Sequence, residues 1–218
     1  LQLQGDCFVA PLLAMTGITR DYMFSLILAL ILWGVLHSVL ASTAVYDLLH
    51  RTFGAGAMKF YRLFYNIIAV VSILPALYLM LTLPDTPLYQ VPAPFNVIMR
   101  VGQVVSIVLL FAAVSQTDIL SFAGLRQLVG EEKPGRLITS GLYRYVRHPL
   151  YTFTLSFFWL SPNMSLNSFI LYAALTIYVF VGIIFEERKL VRAFGQEYEE
   201  YRAATPMLIP GLHLGWNK

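Results

Sequence analysis

Four long stretches of this chain contain no charged residue, and they constrain the fold more than any other feature. Residues 22–46, 63–84, 101–117 and 148–185 carry no Asp, Glu, Lys or Arg, over 25, 22, 17 and 38 residues. A helix needs about 20 apolar residues to cross the hydrocarbon core of a bilayer. The first three stretches therefore each hold one crossing and the fourth holds two. A water-soluble globule is excluded.

The composition agrees with this interpretation, because 58% of the 218 residues are hydrophobic and 12% are charged, against about 45–50% and 25% in a soluble domain. The arm between Pro149 and the turn signal Ser161-Pro162-Asn163 has 13 residues and reaches only about 20 Å as a helix. We therefore expect this arm either to cross incompletely or to rely on a buried turn. The five spans are predicted over residues 23–41, 64–83, 97–114, 149–161 and 164–185.

Thirteen of the fifteen Lys and Arg residues fall on one side of this topology, and only Arg20 and Arg100 fall on the other. Since cytoplasmic loops carry the excess of positive charge, the N-terminus is predicted outside and the C-terminus in the cytoplasm. Beyond the fifth span, four apolar or aromatic residues recur at intervals of 4, 4 and 3, which predicts an amphipathic helix on the inner leaflet. They are Leu190, Phe194, Tyr198 and Tyr201.

The predicted fold is all-α: a polytopic integral membrane protein with about five transmembrane helices and a C-terminal cytoplasmic amphipathic helix. We divide it into an N-terminal segment (1–20), membrane helices (21–115) and a region rich in polar motifs (116–218). The single cysteine, Cys7, excludes a disulfide framework. Scattered histidines without a spacing motif predict no metal, and the net charge of +3 implies no nucleic acid.

The densest polar cluster, residues 141–151, lies where the loop enters the fourth span and reads Gly-Leu-Tyr-Arg-Tyr-Val-Arg-His-Pro-Leu-Tyr. Pro149 suits the first turn of a helix, where free N–H groups can bind an anion. A simpler interpretation makes Arg144 and Arg147 anchors at the membrane boundary and the tyrosines an interfacial belt.

Glu186 and Glu187 are the first charges after the longest uncharged stretch. Because the last two arms are antiparallel, His148 and Glu186 are expected at the same cytoplasmic level. The two carboxylates either end the helix, which is the simpler role for Glu187, or serve function, which we favour for Glu186. With the loop at residues 135–138, they could enclose a polar, nucleotide-sized ligand from the cytosol.

These motifs resemble the C-terminal signature of the isoprenylcysteine carboxyl methyltransferase and phosphatidylethanolamine methyltransferase superfamily. The likeness rests on residues 141–143, 147–151, 186–187 and 194–201, which match in order and spacing. Segments 37–42, 61–66 and 122–127 are similar to its nurim branch, which includes bacterial methanethiol S-methyltransferases and NnrU-like proteins.

The resemblance implies transfer of the methyl group of S-adenosylmethionine. Carried over by motif position, the residues that contact this cofactor would be Gly135, Arg136, Leu137, Ile138, Tyr143, His148, Pro149, Leu150, Tyr151 and Glu186. One departure matters: the isoprenylcysteine enzymes have an arginine for the substrate carboxylate four residues before the matching glutamate, and here that position is Gly182. A small or neutral acceptor is therefore favoured over a prenylcysteine carboxylate.

His37 and Arg62 are the candidate catalytic residues. An ionisable His37 in a membrane helix suggests a base for a thiol acceptor, although it could simply hydrogen-bond to a neighbouring helix. Arg62 could lower the pKa of the thiol or serve only as a topology anchor. The expected acceptor contacts are Tyr65, Asn66 and Asp118, and Asp118 could either orient His37 or pair with Arg62.

The sequence thus predicts a multi-pass membrane methyltransferase that uses S-adenosylmethionine from the cytoplasmic face and methylates a small or lipophilic thiol. Its partners would be that substrate and membrane lipid. The alternatives are an isoprenylcysteine-carboxyl or lipid methyltransferase and a non-enzymatic nurim-like membrane protein. A sterol-type reductase shares an Arg-His-Pro-x-Tyr-like helix, but Glu186-Glu187 and Phe194-Gly195 favour the methyltransferases.

Overall fold

The computed structural model of the chain describes residues 6–118, 120, 125–126 and 136–212, with side chains from residue 21 onward. These residues form seven α-helices, a 3₁₀ turn and a two-stranded sheet. In chain order they are α1 (Asp6–Leu40), α2 (Thr43–Met58), α3 (Tyr61–Thr82), β1 (Pro87–Gln90), α4 (Phe95–Ser115), the 3₁₀ turn (Gly141–Arg144), α5 (Pro149–Trp159), β2 (Asn163–Ser165), α6 (Leu166–Phe194) and α7 (Gln196–Ala204).

Within the described part of the chain, four helices are long and apolar enough to cross a membrane: Asp21–Leu40 of α1, then α3, α4 and α6. Most of their apolar side chains face outward, as expected for surfaces in contact with lipid. The all-α polytopic architecture is confirmed. With only 11 residues, α5 is the short arm that the sequence analysis expected to cross incompletely, so the count of five crossings stays a prediction.

The helices pack in two groups that α6 joins. α1 packs on α3 and on α6, while α4 packs on α5. Leu26 and Leu30 of α1 meet Ala76 of α3 and Leu171 of α6 in the buried core cluster. Small residues allow these close approaches, as at Ala76, which is 1% exposed. This arrangement brings the final turns of α6 beside the start of α5.

A two-stranded antiparallel sheet lies near the N-terminus of α6, and the sequence analysis did not predict it. β1 and β2 pair with Tyr89 opposite Met164 and Gln90 opposite Asn163. Asp85 Oδ1 accepts hydrogen bonds from the backbone N–H of Thr86 at 2.8 Å and of Asn167 at 3.0 Å. The sheet and Asp85 together fix the start of α6. Glu186 lies on the same helix, about 30 Å further along.

The C-terminal helices differ from the sequence prediction in two ways. α6 does not end at residue 185 but continues through Glu186 and Glu187 to Phe194. The residues predicted to form one amphipathic helix are divided between two helices, because Gly195 separates α6 from α7 with φ +56° and ψ −127°. Glycine, which lacks a Cβ, adopts this left-handed backbone readily. The break turns α7 back towards the loop that precedes α5.

Candidate active site

A cavity of about 440 Å³ lies between the end of α4, the start of α5, the last turns of α6 and α7. Nine of the ten residues expected at the cofactor line it: Arg136, Leu137, Ile138, Tyr143, His148, Pro149, Leu150, Tyr151 and Glu186. The tenth, Gly135, lies outside the described residues. The fold therefore brings the motif residues to one cavity, and their role in binding a cofactor stays a prediction.

Arg147 is not the surface anchor that the simpler interpretation proposed. Its side chain is 9% exposed, and its Nη2 lies 2.7 Å from Oε1 of Glu187, which is 15% exposed. Its Nη1 donates hydrogen bonds to the backbone oxygens of Arg202 at 2.9 Å and Thr205 at 2.6 Å. A buried cation needs such partners to offset its desolvation. Arg147 thus joins the loop to α6 and to the end of α7.

His148 is also buried, with 5% of its surface exposed. Its Nε2 lies 3.2 Å from Glu187 Oε1, and its Nδ1 lies 3.8 Å from Glu186 Oε2. Its backbone N–H donates to the oxygen of Met207 at 3.2 Å, next to the bond from Arg147 N–H to Pro206 oxygen at 2.9 Å. Residues 206–207 therefore hold the backbone that leads into α5.

Glu186 and Glu187 have different environments although they are neighbours in the chain. Arg147 and His148 both contact Oε1 of Glu187, so this carboxylate belongs to the structure of the site. The Glu186 side chain is 44% exposed, and its Oε2 accepts a hydrogen bond from Tyr151 Oη at 2.9 Å. Glu186 therefore keeps acceptor capacity facing the cavity.

The N-terminus of α5 faces the same cavity. Pro149 occupies the first turn of the helix, as the sequence analysis expected. Neither Leu150 N–H nor Tyr151 N–H donates a backbone hydrogen bond to any residue that the structure describes. Free N–H groups at the positive end of a helix favour an anion. The cavity thus presents a carboxylate and an anion-binding helix end close together.

Gln116, whose part in the site the sequence analysis missed, fixes the 3₁₀ turn. Its Oε1 accepts a hydrogen bond from Leu142 N–H at 3.0 Å, and a Cβ at Gly141 would clash with that same oxygen. Gly141 also has φ +63°, so both the backbone conformation and the close contact with Gln116 require glycine. The glycine that opens the Gly-Leu-Tyr motif was the only signal of this contact in the sequence.

Tyr143 follows in this turn and lines the cavity. Its backbone oxygen accepts a hydrogen bond from Tyr201 Oη at 2.5 Å. Burial, together with the nearby negative charge of Glu186, raises the pKa of Tyr143 to about 12. The phenol therefore stays protonated near neutral pH and is available as a hydrogen-bond donor.

The residues predicted to lie on the inner leaflet line the cavity instead. Leu190 and Phe194 come from the last turns of α6, and Tyr198 and Tyr201 come from α7. Gly195 places the two pairs on different helices, which is why they can surround a cavity rather than form one flat surface. These side chains give the polar site an apolar and aromatic wall.

His37 lies in a separate aromatic cluster and does not line the cavity. Its Nε2 is 2.6 Å from Tyr65 Oη, and its ring centroid is 5.4 Å from that of Trp33 and 5.6 Å from that of Tyr178. Its Nδ1 is buried and has no hydrogen-bond partner among the described residues. The alternative of a histidine bonded to a neighbouring helix therefore holds for Nε2 only.

The His37 cluster and the cavity are adjacent. The Tyr151 phenol is close enough to those of Tyr65 and Tyr178 for electrostatic interaction. On α6, Tyr178, Gly182 and Glu186 are spaced by four residues and so share a face. A Cβ at Gly182 would meet no described atom within 4 Å. Open space therefore lies beside Gly182, on the face of α6 that carries Tyr178 and Glu186.

The remaining predicted residues are spread around this region. Asp118 pairs with Arg126, with Oδ2 and Nε 2.7 Å apart. Of its two expected partners, His37 is not bonded to it, because Nε2 of His37 contacts Tyr65 and Nδ1 has no partner among the described residues. Arg62 and Asn66 lie one turn apart on α3 and do not line the cavity. Arg62 is close enough to Tyr65 to interact electrostatically with its phenol.

The fold is that of an all-α membrane protein with a cavity lined by polar and aromatic side chains at one end of its spans. The chain belongs to the NnrU family, since the family described as NnrU protein matches residues 25–213. This match confirms the resemblance that the motifs suggested. No solved structure matches the chain.

Among curated proteins, methanethiol S-methyltransferase 1 of Bradyrhizobium diazoefficiens is 42% identical over 108 residues, which cover 47% of this chain and 38% of that protein. Methanethiol S-methyltransferase of Crocosphaera subtropica is 45% identical over 92 residues, covering 40% and 36%. Protein-S-isoprenylcysteine O-methyltransferase of Schizosaccharomyces pombe is 42% identical over 79 residues, covering 34% and 33%. The chain thus spans less than two fifths of the length of these relatives.

Proposed function

We propose that this protein is a membrane methyltransferase that transfers a methyl group from S-adenosylmethionine to a small or lipophilic thiol. One observation carries the proposal: a half-exposed carboxylate, Glu186, and the free N–H groups at the start of α5 face one cavity. The similarity to two methanethiol S-methyltransferases supports the same activity.

The residues of the cavity fit S-adenosylmethionine in size and chemistry. Its volume of about 440 Å³ falls within the range of small-molecule sites, about 300–1,000 Å³. Leu150 N–H and Tyr151 N–H would bind the carboxylate of the cofactor, and Glu186 would accept hydrogen bonds from its ammonium or ribose hydroxyls. The aromatic wall formed by Phe194, Tyr198 and Tyr201 would cover the adenine. When bound, the cofactor supplies an electrophilic methyl group on a sulfonium.

The open space beside Gly182 is the proposed acceptor site. Glu186 is one turn away on the side of the cofactor cavity, and Tyr178 is one turn away on the side of His37. A thiol there would lie next to the cofactor cavity, and holding donor and acceptor in the reactive orientation can contribute about 7–11 kcal/mol to lowering the barrier. With no cation at residue 182, a carboxylate acceptor would need another cation, such as Arg62, to offset its desolvation, whereas a neutral thiol would not.

His37 is the proposed base. A thiol attacks as the thiolate, so its proton must be removed first. His37 presents a buried Nδ1 without a described partner, while Tyr65 Oη holds Nε2 and thereby fixes the ring. The cation of Arg62, near Tyr65, would favour the thiolate electrostatically. Tyr65, Asn66 and Asp118 remain the proposed surroundings of the acceptor, and the Lys and Arg bias supports entry of the cofactor from the cytoplasm.

Calorimetric titration of the purified protein with S-adenosylhomocysteine tests the cofactor site. We expect micromolar binding, and about a tenfold weaker affinity in Glu186→Gln, because a charge-assisted hydrogen bond is worth about 1.5–3 kcal/mol. Glu197→Gln, which removes an exposed carboxylate on α7, is the matched control. Equal affinity in Glu186→Gln and in the parent protein would overturn the assignment.

A further inference from the structure

A second cavity, of about 780 Å³, lies on another face of α6. Arg147 lines both cavities and so forms part of the wall between them, and its partner Glu187 lines the second one. Three of the apolar residues that line it, Ile177, Phe180 and Val181, are exposed. The methyl-transfer proposal assigns no role to it.

One end of this cavity carries three arginines from two helices: Arg188 and Arg192 on α6, and Arg202 on α7. None of their side chains forms an ion pair with a residue that the structure describes. The guanidinium carbon of Arg188 lies 5.7 Å above the ring centroid of Phe185. The only acidic residue that lines the cavity, Glu187, is already held by Arg147 and His148. No described carboxylate therefore neutralises these three guanidinium groups through an ion pair.

The spacing of two of these arginines points to an anion. Arg188 and Arg192 are four residues apart and lie on one face of α6, and like charges at this spacing repel each other. A bound anion would remove that repulsion. Arg202 approaches the same cavity from α7, so an anion there would be contacted from two sides.

The other end of the cavity is apolar and continues the same face of α6. Its stripe consists of Ile177, Phe180, Val181 and Ile184. From Ile177 to Arg188 the helix rises about 16 Å, which is about half the hydrocarbon thickness of a bilayer. The face thus changes from apolar to cationic over the depth of one leaflet.

We infer that this cavity binds an anionic phospholipid, with its phosphate at Arg188, Arg192 and Arg202 and an acyl chain along the apolar stripe. Basic pockets between transmembrane helices favour such headgroups. A zwitterionic lipid would bring an ammonium group to the arginines, and a soluble phosphate would leave the apolar end unfilled. Both are therefore expected to bind more weakly.

Native mass spectrometry of the protein from nanodiscs tests this inference. Nanodiscs of phosphatidylcholine with one fifth phosphatidylglycerol provide the two lipids in competition. We expect a bound phosphatidylglycerol to be retained in preference to phosphatidylcholine, and about tenfold less of it in the triple variant Arg188→Gln, Arg192→Gln, Arg202→Gln. The charge-matched control is Arg51→Gln, Lys59→Gln, Arg144→Gln, which removes three charges outside the cavity.

Three outcomes would overturn the inference. The first is that the triple variant retains as much phosphatidylglycerol as the parent. The second is that the control variant loses as much phosphatidylglycerol as the triple variant. The third is that inorganic phosphate protects the protein against heat as strongly as phosphatidylglycerol does. The single variant Arg192→Gln, whose side chain is exposed, covers the case in which the triple variant does not fold, and a partial loss of lipid is expected from it.

Discussion

Tyr151 Oη donates a hydrogen bond to Glu186 Oε2 at 2.9 Å, and this contact joins α5 and α6 at the cavity. One residue along α6, Glu187 turns instead towards Arg147 and His148. Consecutive helical residues point about 100° apart, so the two carboxylates meet different surroundings. Glu187 stabilises the fold through its ion pairs, and the more exposed Glu186 can still accept hydrogen bonds from a ligand.

Removal of the Glu187 carboxylate is expected to destabilise the protein. Glu187→Gln leaves the 9%-exposed guanidinium of Arg147 without its ionic partner, and such a loss costs about 3 kcal/mol or more. Thermal unfolding in detergent should show a clear decrease in Tm relative to the parent, whereas Glu197→Gln should unfold like the parent. An unchanged Tm in Glu187→Gln would show that the pair contributes little to stability.

A larger side chain at residue 182 is expected to block the acceptor without harming the fold. Gly182→Leu should raise KM for a thiol at least tenfold while the affinity for S-adenosylhomocysteine stays within twofold, because the side chain would enter the open space on the face of α6 that carries Tyr178 and Glu186. Gly56→Leu, at a helical glycine that also has open space around it, is the control. An equal loss of cofactor affinity in Gly182→Leu would place this space inside the cofactor site instead.

Replacement of His37 is expected to slow the reaction in a pH-dependent way. His37→Ala should lower kcat about a hundredfold near neutral pH, as for loss of a general base, with cofactor affinity retained. The deficit should shrink as pH rises, because the thiol then ionises without a base. His50→Ala, which removes a histidine on the exposed face of α2, should match the parent. A deficit that is constant with pH would indicate a structural role for His37.

The predicted membrane orientation can be read from cysteine accessibility. In a Cys7→Ser background, Arg144→Cys should react only with a membrane-permeant reagent in intact cells, and Thr86→Cys should also react with an impermeant one. The expectation follows from the bias of Lys and Arg to one side. The reverse labelling pattern would invert the topology and remove the cytosolic route for the cofactor.

The sequence was sufficient to predict the four helices that can cross a membrane and most residues that line the cavity, because charge-free stretches and a motif with fixed spacing are local signals. It did not predict the contacts that depend on distant segments. Residues 206–207 hold the backbone of Arg147 and His148, and no pattern in the chain pairs these two segments. Gln116 fixes the turn at Gly141, and the glycine itself is the only signal of that contact. The structural role of Glu187 depends on Arg147 and His148, which come from another segment of the chain. The positions of the residues from Leu190 to Tyr201 depend on the break at Gly195.

The most direct test is product identification with the full chain in lipid nanodiscs. The protein is incubated with methanethiol and S-adenosylmethionine labelled in its methyl group, and volatile products are separated by gas chromatography. We predict labelled dimethyl sulfide, formed only with active protein and suppressed by S-adenosylhomocysteine. Labelled methyl ester on a farnesylcysteine carboxylate, with no labelled product from methanethiol or any longer alkyl thiol, would contradict the proposed function.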